Sequence, residues 1–154
     1  MLRPGIPFLV ACACLALLPA CGSEEDTTPA ACLNGSGSFL SALQRAPGEV
    51  RLVDGVRISE CLVEDQPPGE LSQVGTAMVG AAERLGAAAR EQPQGPAATQ
   101  LGYLVGAVER GAEETGGVHT ELLRRLESVA ETGAESPRLE AGYRRGLGAG
   151  RESG

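Results

Sequence analysis

The side chains best suited to chemistry in this sequence are five cysteines and a single histidine. Cys12 and Cys14 lie inside an apolar run near the N-terminus, and Cys21 follows the end of that run. Cys32 and Cys61 lie further along the chain. No two of these cysteines have the C-x-x-C spacing of a redox-active dithiol. We therefore expect no redox chemistry from them.

His119 is the one side chain with the chemistry of a general base at neutral pH. Catalysis would require a nucleophile or a carboxylate nearby, and Glu113, Glu114, Thr120 and Glu121 are candidates by sequence position alone. One histidine with scattered carboxylates is not a set of metal ligands. His119 precedes an expected helix start, which favours a structural role, and a binding role is the second interpretation. We expect no catalytic residue, no metal site and no cofactor.

Residues 1–20 have the pattern of a signal peptide. Arg3 precedes an apolar run from Ile6 to Leu18, which is too short to span a bilayer and suits the hydrophobic region of a signal peptide. The run ends in Leu18-Pro19-Ala20-Cys21, which resembles the lipobox of bacterial lipoproteins. This resemblance covers residues 1–21 only. It implies cleavage before Cys21, lipidation of its sulfur with a diacylglycerol, and a lipid-anchored location on the extracytoplasmic side of a bacterial membrane.

The chain after the signal peptide divides into three parts. Residues 21–31 are small, acidic and proline-containing, which is typical of a flexible tether. Residues 32–147 have the apolar periodicity of a folded domain, and residues 148–154 are expected to be a disordered tail. Outside the cytosol, the two remaining cysteines of such a domain are usually paired. We therefore predict a disulfide between Cys32 and Cys61.

Apolar residues at helical spacing predict a short helix followed by four longer ones. Pro96 and the pair Ser136-Pro137 are well placed at helix starts. Glu121 and Arg125 are spaced for an ion pair on one helix face. Since short connections favour antiparallel neighbours, the predicted fold is mainly α, a small antiparallel helical bundle. The predicted helices cover about 38–46, 69–91, 97–114, 118–132 and 136–148.

Residues 49–60 predict one β-hairpin, because Asp54-Gly55 lies between two β-branched runs. A two-residue turn, Asp54-Gly55, and a three-residue loop that begins at Val53 give different registers. We prefer the three-residue loop, because it places four apolar residues on one face: Val50, Leu52, Val56 and Ile58. A two-stranded ribbon is not stable alone, so the hairpin must lie on the helices, with the disulfide as a staple.

Glycines inside the predicted helices indicate a close contact between helices. Gly102 and Gly106 are one helical turn apart, in a spacing that lets two backbones approach. Nearby polar residues argue against a membrane span here: Gln100, Glu109 and Arg110. We favour a close backbone approach within a bundle. The alternative is a groove lined by Gly and Ala between helices 69–91 and 97–114, which would hold a small apolar ligand.

These patterns favour a non-enzymatic envelope protein. The net charge of −7 argues against nucleic-acid binding, which needs a basic face. We find no serine-hydrolase elbow, phosphate loop or dinucleotide fingerprint. We therefore expect a membrane-anchored envelope lipoprotein whose domain binds or scaffolds an envelope protein. The alternative function is that of a carrier for a small apolar ligand.

Overall fold

The computed structural model of this chain describes residues 27–131 and 136–154. It confirms a mainly helical fold with one disulfide. The described residues form five α-helices and three short 3₁₀ segments, and they contain no β-strand. The helices are α1 (Ser36–Leu43), α2 (Pro68–Glu91), α3 (Ala97–Glu114), α4 (Thr120–Glu131) and α5 (Pro137–Ser153).

Helix α3 lies at the centre of the bundle, where it packs against α2, α4 and α5. Its large side chains Tyr103 and Leu104 are fully buried. Ala89 in the last turns of α2 and Ala98 in the first turn of α3 line the same small void. The end of α2 therefore meets the start of α3.

Helices α3 and α5 approach more closely than side chains at the contact points would permit. A Cβ atom on Gly102 would lie 2.0 Å from the carbonyl oxygen of Tyr143. One turn later, a Cβ atom on Gly106 would lie 2.3 Å from the carbonyl oxygen of Leu147. The contacts advance in the same direction along both helices, so α3 and α5 run parallel. The predicted close backbone approach is confirmed, and its partner is α5.

The prediction of a disordered tail over residues 148–154 is wrong, because α5 continues through Ser153. Gly150 is buried against the backbone of α3. Arg151 forms an ion pair with Glu109 of α3, with 2.7 Å between its Nε and the carboxylate oxygen. Contact with α3 therefore keeps this end of α5 helical, although α5 has few apolar side chains to bury.

The predicted β-hairpin over residues 49–60 is also wrong. The backbone N–H of Arg57 donates to the carboxylate of Glu60 at 2.7 Å, so it is not available to a strand partner. The chain then enters a 3₁₀ turn, Ser59–Cys61, instead of continuing as a strand. A local side-chain hydrogen bond and a tight turn thus replace the ladder that the alternating pattern favours.

The turn of this segment and its buried face nevertheless follow the prediction. Asp54 and Gly55 both have positive φ, 62° and 78°. The N–H of Leu52 donates to the carbonyl of Val56 at 2.8 Å, which closes the loop. The buried side chains are three of the four predicted ones: Val50, Leu52 and Ile58.

The predicted disulfide joins Cys32 and Cys61, which are both buried and have Cα atoms 5.5 Å apart. The folded part includes residues that were expected in the tether over 21–31. Thr28 is buried, and its hydroxyl accepts a hydrogen bond from Nε2 of Gln66 at 2.8 Å. Residues 28–31 therefore belong to the domain.

Candidate functional site

The single histidine is buried at the start of α4. Only 1% of the surface of His119 is exposed, and its Nε2 lies 3.0 Å from the carbonyl oxygen of Val63. Because a carbonyl only accepts hydrogen bonds, Nε2 is the donor in this contact, and in the neutral imidazole Nδ1 then carries the lone pair. Nδ1 has no hydrogen-bond partner among the residues that the structure describes. A buried acceptor without a donor costs about 1–3 kcal/mol.

A glycine turn between α3 and α4 brings His119 inside the domain. Gly116 and Gly117 have φ angles of 64° and 87°, which side-chain-bearing residues rarely adopt. The N–H of Gly117 donates to the carbonyl of Ala112 at 2.9 Å and so caps α3. The carbonyl of His119 then accepts the N–H of Leu123 at 3.1 Å, which is the first hydrogen bond of α4. This confirms the structural role predicted for the histidine at a helix start.

A cavity of about 210 Å³ lies beside His119, between α2 and the start of α4. We call it the His119 pocket. Gly75 on α2 and Leu122 on α4 both line it, and a Cβ atom on Gly75 would lie 3.8 Å from Cδ1 of Leu122. The polar side chains that line it are Ser72, Thr76, His119, Glu121 and Arg125. Polar groups from two helices therefore converge on one concave surface, as they do in small-molecule sites.

Two charged side chains, Glu121 and Arg125, lie on the rim of the His119 pocket. Glu121 pairs with Arg124 at 2.8 Å, whereas the sequence predicted a pair with Arg125. Hydrogen bonds from Arg124 lower the pKa of Glu121, so its carboxylate is ionised at neutral pH. Arg125 makes no hydrogen bond or ion pair with any described residue. Its charge nevertheless acts on the neighbouring carboxylate of Glu121 and helps to lower the pKa of that group.

The side chains considered as catalytic partners of His119 are engaged elsewhere or do not bond to it. The hydroxyl of Thr120 donates to a backbone carbonyl, while Glu114 and Glu121 each pair with an arginine of their own helix. Among the described residues, the histidine ring bonds only to the Val63 carbonyl. Among the described residues, this arrangement brings no nucleophile next to the histidine ring.

The predicted apolar groove between α2 and α3 is almost filled. Gly86 and Ala89 of α2 meet Ala98 of α3 there, but side chains from α4 and α5 leave a void of only about 20 Å³. This volume is close to the minimum for one water molecule, about 10–15 Å³. Burial raises the pKa of Tyr143, which lines the void, to about 12, so the phenol is neutral at physiological pH. The void offers no space for an apolar ligand.

The remaining site predictions concern lipid and metal. Cys21, the predicted lipidation site, lies outside the described residues. Within residues 27–131 and 136–154, no three His, Cys, Asp or Glu side chains are grouped as a metal ion would require. None of the helices described there combines the length and the apolar character needed to cross a membrane.

Comparison of this chain with protein-family models, with curated proteins and with solved structures finds no match. Its function has to be inferred from its own residues and their geometry.

Replacing His119 with leucine is expected to lower the free energy of unfolding by about 1–3 kcal/mol, because the buried Val63 carbonyl loses its donor. His119→Gln keeps an N–H donor and is expected to lose less. Urea denaturation followed by circular dichroism measures both changes. A His119→Leu variant as stable as the wild type would show that the hydrogen bond to Val63 does not stabilise the fold.

Proposed function

We propose that this protein is a lipid-anchored domain of a bacterial cell envelope with a non-enzymatic binding or scaffolding role. The lipobox-like residues Leu18-Pro19-Ala20-Cys21 support the anchor. Cys21 would carry the diacylglycerol, with palmitate among its acyl chains, and two or more chains hold a protein stably on a membrane. Membrane lipid is then the first partner, and an envelope protein is the second.

The observation that carries this proposal is the Cys32–Cys61 disulfide close behind the lipobox. Disulfides persist in oxidising compartments outside the cytosol and are rare inside it. Cys32 lies 11 residues after Cys21. The first cysteine of the disulfide is therefore separated from the predicted membrane anchor by only a short tether. Export and anchoring at Cys21 would account for both features together.

The geometry around His119 supports binding over catalysis. Its Nε2 is committed to a backbone carbonyl, and the neighbouring pocket offers polar groups without an adjacent nucleophile. The void of about 20 Å³ between α2 and α3 does not favour the carrier function. Turnover of a defined substrate by the purified chain, lost on mutation of a domain residue, would overturn the non-enzymatic role.

Replacing Cys21 with serine is expected to abolish incorporation of labelled palmitate and to release the protein from the membrane fraction. The reason is that only the Cys21 thiol lies at the predicted cleavage site. Cys12→Ser is the matched control, since Cys12 would leave with the signal peptide, and it should keep both label and membrane association. A Cys21→Ser protein that remains membrane-bound and labelled would refute lipid anchoring at this residue.

A further inference from the structure

The N-terminal part of the described chain is fixed beside the start of α2. Thr28 is buried, and its hydroxyl accepts a hydrogen bond from Nε2 of Gln66 at 2.8 Å. Gln66 lies two residues before Pro68, the first residue of α2. In the second turn of that helix, Nε2 of Gln73 donates to the carbonyl of Leu33 at 2.7 Å. These contacts hold the chain to the domain from Thr28 onward.

The bundle has two distinct ends. We call the end that holds Thr28 and the first turn of α2 the anchor end. The first turn of α4 lies there as well, since Leu71 and His119 line one cavity. We call the opposite end the distal end, where α2 ends and α5 begins and where Ala89 and Leu139 line one void. Helix α2 connects the two ends with 24 residues, which span about 36 Å at the α-helical rise.

The predicted lipid anchor is tied closely to the anchor end. Seven residues, 22–28, follow Cys21 up to and including Thr28. Seven residues reach about 25 Å at most, whatever their conformation. This reach is about 10 Å shorter than α2. The segment is therefore too short to run back along the bundle and bring the distal end onto the lipid.

The contact at Thr28 sets this limit. If the chain were held first at Cys32, 11 residues after Cys21, its reach would be about 40 Å. That reach would match the length of α2 and would permit either end to face the lipid. The buried hydrogen bond between Thr28 and Gln66 thus turns a permissive tether into a restrictive one.

The sides of the described bundle lack the surface that would hold it flat on lipid. A helix that lies in a membrane interface combines an apolar face with a basic polar face. Among the described residues, the large apolar side chains that are exposed are Val53 and Val118, and both lie outside the five α-helices. The net charge of −7 gives no general attraction to anionic lipid. Val118 lines the same cavity as Leu71 and so lies at the anchor end.

We infer that the domain stands upright on the bilayer, with its anchor end towards the lipid and its distal end directed into the aqueous envelope. The lipid surface is then the partner of the anchor end, and an envelope protein meets the domain from its sides or its distal end. This inference rests on the lipid anchor proposed above. It adds the orientation of the domain and the surface that remains for a protein partner.

The test places one fluorophore at either end of the lipidated chain. Asp65→Cys marks the anchor end and Gln94→Cys marks the distal end, and both positions are exposed. Cys32 and Cys61 are buried and paired, so a thiol-reactive dye labels the new cysteine. The chain is reconstituted into vesicles of phosphatidylcholine and phosphatidylglycerol that carry acceptor-labelled headgroups. Energy transfer then gives the distance of each label from the lipid surface.

The label at position 65 should lie closer to the lipid surface than the label at position 94, by about 20 Å or more, which is over half the length of α2. Equal distances would mean that the domain lies on its side. A shorter distance for position 94 would mean that the domain is inverted. Either of these two results overturns the inference.

A longer tether tests the cause of the orientation. Ten Gly and Ser residues inserted between Asp26 and Thr27 raise the reach to about 60 Å, which exceeds the length of α2. The difference in distance between the two labels should then fall by at least half, with the unmodified tether as the control. A difference that the insertion leaves unchanged would show that tether length does not orient the domain.

Failure of the anchor and failure of the orientation give different results. If the wild-type chain and Cys21→Ser bind the vesicles equally poorly, the anchor is absent and both proposals fall. If the wild-type chain binds through Cys21 while the two labels lie at equal distances, only the orientation is wrong.

Discussion

Replacing Gly146 with alanine is expected to lower the free energy of unfolding by at least about 3 kcal/mol, which is the upper end of the usual cost of overpacking. The new Cβ would lie 1.9 Å from the carbonyl oxygen of Thr99, a backbone atom that cannot rotate away. Helices α3 and α5 would have to separate, and they form the most extensive helix pair in the described structure. Because small domains have a total stability of about 5–15 kcal/mol, this loss is a large fraction of it.

The matched control for this substitution lies on the same helix. Gly148 has no atom within 4 Å of its would-be Cβ, so Gly148→Ala should fold normally. It should even gain up to about 1 kcal/mol, because alanine is a better helix former than glycine. Urea denaturation followed by circular dichroism compares the two variants. Equal stabilities for Gly146→Ala and Gly148→Ala would mean that α3 and α5 do not pack backbone to backbone.

Reduction of the Cys32–Cys61 disulfide is expected to lower the free energy of unfolding by about 3.6 kcal/mol. The two cysteines are 29 residues apart, and the chain-entropy model gives this value for a loop of that length. The bond connects the start of the folded domain to the segment after Ile58, which has no strand partner to hold it. Urea denaturation with and without dithiothreitol measures the effect.

A double variant, Cys32→Ala with Cys61→Ala, separates the crosslink from other effects of the reductant. It should be about as unstable as the reduced wild type, and dithiothreitol should not change it further. A fully reduced wild-type chain with an unchanged urea midpoint would contradict a stabilising role for the bond.

Helix positions and buried faces could be predicted here because they depend on local patterns. The range 97–114 agrees with α3, since Pro96 and the apolar spacing mark it within one stretch of chain. The preferred three-residue loop from Val53 to Gly55 forms, because Asp54 and Gly55 both tolerate positive φ. The absence of a β-ladder over residues 49–60 could not be predicted, because it depends on Glu60 competing for the N–H of Arg57.

The end of α5 shows what an isolated segment does not reveal. Gly142, Gly146 and Gly150 recur every four residues, and this spacing was the signal for a packed helix face. Read alone, a glycine-rich segment with a thin apolar stripe suggests fraying. Packing against the glycines of α3 makes it a helix, since close backbone contact replaces the missing side chains.

The sequence by itself determined the two cysteines that pair, the helical periodicity and a histidine at a helix start, whereas the lipobox-like leader stays a prediction. Most of these features depend on residues that are neighbours in the chain. The disulfide could be predicted because Cys32 and Cys61 are the two cysteines that remain once the others are assigned to the leader and the lipid anchor. Only the tertiary structure decided that α5 is the partner of the α3 glycines. It also decided that Ser72 and Thr76 of α2 lie beside His119, more than 40 positions away. Such a juxtaposition depends on how whole helices pack, which no local pattern specifies.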